Sequence, residues 1–330
     1  MLKNFLSLLA LTGFFAVAPT PAKAWGCEGH QIVALLARVH LTPVATNAID
    51  QLLRDNPVEV NSQFCKGAGD LMANVASWAD NVRNVEKTGL WHYIDIPLAE
   101  HPVPDSQQSQ ISKWCDPVDQ ASTVAPTKDR TGCVVTAIDF EAKILADPAK
   151  TSAERAAALR YIIHFIGDMH QPLHSADNND RGGNCTTLQF FSDARPSNLH
   201  SIWDTRMIVR HLTEGKLNPP QYATAIDAEF APTWKQISQG TPADWAWESH
   251  SVAERVTYGA LKPAVPVETP DPVHPGLTGD EGCNAERSKV AALHITIGDD
   301  YYKLALPATE RQLAKGGYRL AAFLNAAFTN

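Results

Sequence analysis

Residues 154–174 read Glu-Arg-Ala-Ala-Ala-Leu-Arg-Tyr-Ile-Ile-His-Phe-Ile-Gly-Asp-Met-His-Gln-Pro-Leu-His, running from Glu154 to His174. Leu159, Ile162, Ile163 and Ile166 recur at helical spacing. This predicts a helix over 154–170 with one buried stripe, ended by Pro172. His164 and Asp168 are four apart, so both project from one helical face. That face is the apolar one, near Leu159 and Ile163. A buried imidazole and carboxylate need partners, because an unpaired polar group out of water is costly. A His–Asp hydrogen bond would satisfy them, and so would a metal ion.

Downstream of this helix the same residue types recur. His174 follows the turn at Pro172, and His200 and Asp204 repeat the four-residue spacing on a helix that Asn198 can cap. Imidazole with carboxylate is a ligand set that suits zinc. Upstream, Asp80 lies in Ser77-Trp78-Ala79-Asp80, His92 in Trp91-His92-Tyr93-Ile94-Asp95, and His30 in Trp25-Gly26-Cys27-Glu28-Gly29-His30. Taken singly, each is as well read as a surface acid or a core histidine. His40, His101, His170, His211, His250, His274 and His294 lack ligand-like spacing and read as structural or surface residues.

Around these residues the pattern is mostly helical, over 31–40, 43–54, 68–83, 118–147 with a break near Pro126, 198–212, 222–239, 243–261, 285–306 and 308–327. Residues 91–96 read as extended, and the Gly182-Gly183 region as forming a hairpin with 187–191. The expected fold is all-α, a single globular domain over 25–330 with irregular loops and room for one small hairpin. The proline-rich stretch from Pro263 to Pro275 reads as a surface loop.

The first residues look different. Lys3, the apolar run from Phe5 to Val17 and the small-x-small site Ala22-Lys23-Ala24 form a secretory signal pattern over 1–24. The run is too short to be read as a membrane anchor. Secretion or export to a periplasm follows, with Trp25 as the first mature residue. All six cysteines lie beyond that junction, and no CxxC pair is present. An even count in an exported chain points to disulfides. Spacing selects no pairing; Cys27–Cys65, Cys115–Cys133 and Cys185–Cys283 is the set expected here.

The formal charge is −8, and the signal segment removes two lysines and no acid. Such a chain lacks the broad basic surface of most nucleic-acid binders. Bound divalent ions could supply positive charge locally.

The joint pattern resembles the trinuclear-zinc single-strand nucleases of fungi, plants and bacteria, over essentially all of residues 25–330. It is carried by the segments quoted above, by His164-Phe165-Ile166-Gly167-Asp168-Met169-His170-Gln171-Pro172-Leu173-His174, and by Asn198-Leu199-His200-Ser201-Ile202-Trp203-Asp204. The resemblance implies three zinc ions. Asp80, His92 and His164 would hold one. The Trp25 terminus and His30 would hold a second, with Asp168 bridging the two. His174, His200 and Asp204 would hold the third. It further implies cleavage of single-stranded DNA and RNA to 5′-phosphorylated products, 3′-nucleotidase activity on nucleotides, and no membrane or obligate protein partner. Asp80 and Arg83 would act in catalysis, Arg83 on the charge that builds on phosphate oxygens. Tyr93 would stack on a base and Asp95 accept from its edge. Asn184, in Gly182-Gly183-Asn184, would lie against substrate. The rivals are a zinc phospholipase C of the same superfamily, whose last ligand is usually glutamate where this chain has Asp204, and a non-catalytic zinc-binding protein.

An α-amino group binds zinc once deprotonated, whereas an amide nitrogen at neutral pH does so very poorly. Protein beginning at Trp25 should therefore hold one more zinc, and cleave single-stranded DNA much faster, than a folded version retaining Ala24. Metal analysis beside a hydrolysis assay checks this; equal metal content and equal rates would remove the terminus from the mechanism.

Overall fold

A computed structural model describes residues 25–59, 65–118, 128–268 and 293–329. Helices dominate. The described helices are α1 (Cys27–Val39), α2 (Pro43–Asp55), α3 (Leu71–Val75), α4 (Trp78–Glu86), α5 (Gln107–Ile111), α6 (Val134–Ala146), α7 (Ser152–Met169), α8 (Leu199–Ser201), α9 (Met207–Gly215), α10 (Pro219–Phe230), α11 (Trp234–Ile237), α12 (Pro242–Val252) and α13 (Asp299–Ala327). No described helix is long and apolar enough to cross a membrane.

The helix predicted from 154–170 is α7, and its start is set locally. Thr151 Oγ1 accepts from the Glu154 amide at 3.2 Å while Glu154 Oε2 accepts from the Thr151 amide at 2.9 Å, a reciprocal cap. From Ala158 to Met169 every residue is buried, so the helix has no solvent face over its last three turns. The single stripe read from the sequence underestimates this. Helices α1, α2, α3, α4, α6, α12 and α13 all touch α7, and a helix enclosed on all sides buries its polar residues too.

Other boundaries differ from expectation for identifiable reasons. The helix expected over 68–83 is two helices, because Asp70 caps α3 at the Ala73 amide and the chain breaks at Ala76-Ser77 before α4. The helices expected on either side of Pro307 are one helix, α13. Tyr301, Tyr302 and Ala305 before the proline and Leu313 and Ala314 after it are all buried, so packing outweighs the roughly 3 kcal/mol that proline costs inside a helix. Residues 285–292 of that expectation lie outside the described residues, as does the break near Pro126. The helix capped by Asn198 forms, with the Ser201 amide donating to Asn198 Oδ1 at 2.7 Å. It passes through a π-helical stretch, Ile202–Arg206, before α9.

Strand β1 (Thr187–Phe190) is central in a small sheet, antiparallel to β2 (Ser197–Asn198) and parallel to β3 (Thr296–Ile297). The Gly182-Gly183 region does not pair with it, contrary to the hairpin expected. Its left-handed backbone instead forms a separate loop ahead of β1, at the site described below. The chain near His92 is a short 3-10 helix, Gly89–His92, followed by extended residues; the Ile94 amide donates to the His174 carbonyl at 2.8 Å and the Leu98 amide to that of Asp177 at 2.8 Å. Disulfides Cys27–Cys65 and Cys115–Cys133 are present as expected. Cys185 is disulfide-bonded, and Cys283 lies outside the described residues. These bonds fit an oxidising compartment.

Two apolar cores result. The larger gathers α1, α6, α7, α12 and the end of α13. The smaller gathers the sheet, the π-helical stretch and the start of α13. Histidines with no ligand-like spacing serve this packing: His40 meets Asp227 at 2.7 Å, His250 meets the Pro97 carbonyl at 3.0 Å, and His170 Nε2 accepts from Arg319 at 3.0 Å.

Glu141, buried on α6, has its carboxyl pushed up to about 8 by burial, against a smaller opposing pull from Arg130. Because the folded chain binds this proton more tightly, the group stabilises folding fully below its ordinary value of 4.5, and that contribution is lost as pH rises toward 8. Glu141→Gln should match the parent protein near pH 4 and exceed it above pH 8 by on the order of a few kcal/mol. Denaturant unfolding across that range checks it; a difference independent of pH would contradict the assignment.

Candidate metal centre

Helix α7 presents His164 and Asp168, both fully buried, one turn apart. His164 Nε2 lies 3.1 Å from Asp168 Oδ2. From the end of the 3-10 helix, His92 brings Nδ1 to 3.0 Å from the same oxygen and 3.1 Å from His164 Nε2. Asp80, on α4, places Oδ1 at 3.9 Å from both histidines. On the other side, His30 of α1 stacks on His164 with ring centroids 4.0 Å apart and sets Nε2 at 3.2 Å from Asp168 Oδ1. Asp168 thus faces one group of side chains with each oxygen.

A third group lies beside these two. His174 Nε2 and His200 Nε2 are 3.1 Å apart; Asp204 Oδ2 is 3.2 Å from His200 and Asp204 Oδ1 is 3.8 Å from His174. His174 Nδ1 is 4.0 Å from Asp168 Oδ1, so all three groups share one cleft. His30, His164 and Asp168; Asp80, His92 and His164; and His174, His200 and Asp204 are three sets that could each hold a metal ion.

Whether a cation fits is decided by proton placement. His164, His174 and His200 each direct Nδ1 at a backbone carbonyl, those of Ala76 at 2.7 Å, His92 at 2.8 Å and Gly182 at 2.6 Å. A carbonyl only accepts, so each Nδ1 carries the hydrogen, and in the neutral ring that ligation demands each Nε2 offers a lone pair. His174 and His200 therefore aim two lone pairs at each other. Two acceptors at 3.1 Å require a positive centre between them. His30 Nε2, Asp168 Oδ1 and Asp204 Oδ2 are buried with no hydrogen-bond partner, although each lies within 3.2 Å of a group of the opposite kind. Such atoms converge on a point rather than on one another. The residues fit zinc ligation, with backbone carbonyls orienting the imidazoles.

Burial first, then His164, lowers His30 to about 4, and burial with His174 lowers His200 to about 3, so both are neutral as ligation demands. Burial works against His164, but Asp168 and Asp80 together raise it to about 9. Burial also works against the Asp168 carboxylate, which the charge of His164 and the close approach of the His164, His30 and His92 rings nevertheless hold well below its ordinary range. Asp204, dominated by burial, is pushed well above its ordinary range. A multivalent cation bound here would take the place of the proton that Asp168 and Asp80 hold on His164.

The remaining expected residues lie around this cleft. Arg83 Nη1 is 3.5 Å from Asp80 Oδ1, and its charge acts on both His200 and Asp204. Trp25 is fully buried, and the following amide, that of Gly26, donates to the Asp204 carbonyl at 2.7 Å. Tyr93 and Asp95 are half-buried. Burial raises both above their ordinary values, with Asp95 acting further on Tyr93 and Asp177 on Asp95, and Arg181 opposes both shifts. Asn184 turns its amide back to the Arg181 carbonyl at 2.8 Å.

Two contributors were not singled out in the sequence. Gln171 donates from Nε2 to Asp204 Oδ1 while its own oxygen accepts from the Leu173 amide at 2.6 Å. Its position between the helix end and Pro172 was the available signal. Gly167 lies under His30, where a Cβ would stand 2.8 Å from His30 Nδ1. A glycine one residue before Asp168, inside a helix it weakens, was the signal for close approach.

The family description S1/P1 Nuclease matches residues 25–329. The chain belongs to the S1/P1 nuclease family. Among curated relatives, Endonuclease 2 of Arabidopsis thaliana is 27% identical, covering 97% of this chain and 96% of the relative. Nuclease P1 of Penicillium citrinum is 29% identical over 91% of this chain and 97% of the relative; Nuclease S1 of Aspergillus oryzae is 26% identical over 91% of each. As an S1/P1 nuclease the chain is a hydrolase of phosphodiester bonds, and its mainly helical fold is the one the resemblance implied. The phospholipase reading is not favoured.

Alanine is a better helix former than glycine by about 1 kcal/mol. Gly167→Ala should destabilise the metal-free protein only modestly, because helix propensity offsets part of an overpacking cost of about 1–3 kcal/mol, yet displace the His30 ring and remove zinc from the Asp168 side of the centre. Metal analysis and thermal unfolding of the chelated variant check this; full zinc content would show that the His30 ring tolerates the methyl.

Proposed function

We propose that this S1/P1 nuclease is a zinc-dependent endonuclease preferring single-stranded DNA and RNA, with 3′-nucleotidase activity. It acts as one domain from Trp25 onward, in a periplasm or outside the cell, once residues 1–24 are removed. Three zinc ions would be held as the resemblance implied: by Asp80, His92, His164 and Asp168; by the Trp25 terminus, His30 and Asp168; and by His174, His200 and Asp204. The observation that carries the reading is the meeting of the two Nε2 lone pairs of His174 and His200, 3.1 Å apart beside the carboxylate of Asp204.

Zinc, when bound, lowers the pKa of water toward neutrality and polarises phosphoryl oxygen. The protein's own residues do the rest. Asp168 joins two ligand groups and fixes their separation, so the attacking and leaving oxygens meet the cleft in one orientation. Arg83, held near Asp80, places a permanent positive charge where the non-bridging phosphate oxygens gain negative charge. Tyr93 offers a face on which an unpaired base stacks, and Asp95 an acceptor or, when protonated, a donor for its edge. Stacking of this kind is worth about 1–3 kcal/mol per base and is open to single strands alone, since paired bases are already stacked. The acidic exterior repels polynucleotide generally, which confines binding to the cleft where cations sit.

Chelation should abolish hydrolysis, and added zinc should restore it, faster on single- than on double-stranded DNA, with none on phosphatidylcholine. Asp168→Asn removes one metal-binding oxygen and the charge shared by two groups, so zinc should fall at that pair while the third position stays filled. A fully zinc-loaded protein that cleaves no phosphodiester, or equal zinc loss from all three positions, would defeat the reading.

A further inference from the structure

We propose that Asp180 is a positioning residue for the third ligand group, acting on His200 through the single peptide plane between Gly182 and Gly183. The inference rests on the reading that His174, His200 and Asp204 hold a metal ion.

His200 is oriented by a backbone atom. Its Nδ1–H donates to the Gly182 carbonyl at 2.6 Å, and its own amide donates to the Gly183 carbonyl at 3.3 Å. A main-chain oxygen has no side-chain identity, so what fixes it is whatever fixes the loop. That loop is conformationally expensive. Asn179, Arg181, Gly182 and Gly183 have φ of 55°, 59°, 58° and 82°, in the left-handed region that non-glycine residues seldom adopt. Such backbone persists where its surroundings over-determine it.

Here two carboxylates do so. Asp177 Oδ1 accepts from the amides of Asp180 and Gly182, each at 3.0 Å. Asp180 is buried, with both oxygens engaged. Its Oδ1 accepts from the Gly183 amide at 2.8 Å and from the Tyr258 hydroxyl at 2.7 Å, and its Oδ2 accepts from the Thr186 hydroxyl. Tyr258 lies beyond the end of α12 and Thr186 beside β1, so the smaller core holds Asp180 from two directions.

The Gly183 N–H and the Gly182 C=O belong to one planar, rigid peptide unit. Asp180 grips its N–H end, and His200 donates to its C=O end. A carboxylate accepting from an amide polarises that amide and makes its oxygen a stronger acceptor. The carbonyl then holds the Nδ1 proton of His200 more firmly, and the lone pair on Nε2 is both aimed and enriched. The arrangement is a carboxylate–histidine–metal relay with a peptide inserted between acid and imidazole. The mechanism above uses neither Asp180 nor Tyr258.

The test uses the mature, zinc-loaded protein without substrate, reading zinc stoichiometry and the rate of zinc transfer to a chromophoric chelator. His200→Ala serves as the control for the ligand assignment and should hold one zinc fewer than the parent. Asp180→Ala should release one zinc equivalent about 10–100-fold faster than the parent, with the other two unchanged. Asp180→Asn keeps a neutral acceptor for the Gly183 amide and should release the same equivalent only a few-fold faster. If Asp180→Ala does not fold, Asp180→Asn carries the test alone. Parental release of every equivalent by these variants, with His200→Ala one zinc short, overturns the inference and leaves the ligand assignment standing. Equal acceleration of all three equivalents overturns it too, because a general structural role would act that way. Full zinc in His200→Ala overturns the ligand assignment, and this inference with it.

Discussion

His164 and Asp168 are two ionisable side chains on a helix segment with no solvent face. Burying either alone would cost several kcal/mol. Everything around α7 answers that constraint. His30 from α1, His92 from the chain after α4 and Asp80 from α4 itself all arrive within 4 Å of these two residues. The first half of the chain thus wraps the helix with partners for its polar atoms as well as with apolar surface. Two carboxylates and three imidazoles so close together form a ligand set that suits a cation.

The irregular parts of the backbone supply the acceptors that align the imidazoles. A carbonyl inside a regular helix is already paired, so a histidine must find one elsewhere. Ala76 offers its oxygen where α3 breaks before α4, His92 where a 3-10 turn ends, and Gly182 where the chain runs left-handed. Breaks that look like defects in an all-helical fold are the positions that fix the tautomers. The π-helical stretch holding Asp204 fits the same pattern, since widened helical turns recur at functional sites.

Charge distribution separates this nuclease from proteins that bind nucleic acid through a basic surface. The chain is acidic overall, and the structure sets the Arg83 guanidinium 3.5 Å from Asp80, beside the ligand groups. On the function proposed, cations held in the cleft would supply the positive charge that the exterior lacks.

Much of this was legible in the sequence because it is local. The cap at Asn198, the four-residue spacings of His164 with Asp168 and His200 with Asp204, and the export pattern each depend on a few neighbouring residues. The family resemblance supplied the grouping of His30, Asp80 and His92 with α7, which spacing cannot give. Tertiary structure alone decided the rest. Pro307 lies inside α13 because buried residues on both sides hold one helix together. Residues 71–86 split because Asp70 and Ser77 each open a helix. Gly167 is required because the His30 ring lies against α7, and Asp180 meets the Gly183 amide only once the left-handed loop has closed. Local pattern records what a residue prefers by itself. Which carbonyl a histidine finds, and which lone pair it is left to offer, depends on chain segments tens of residues away.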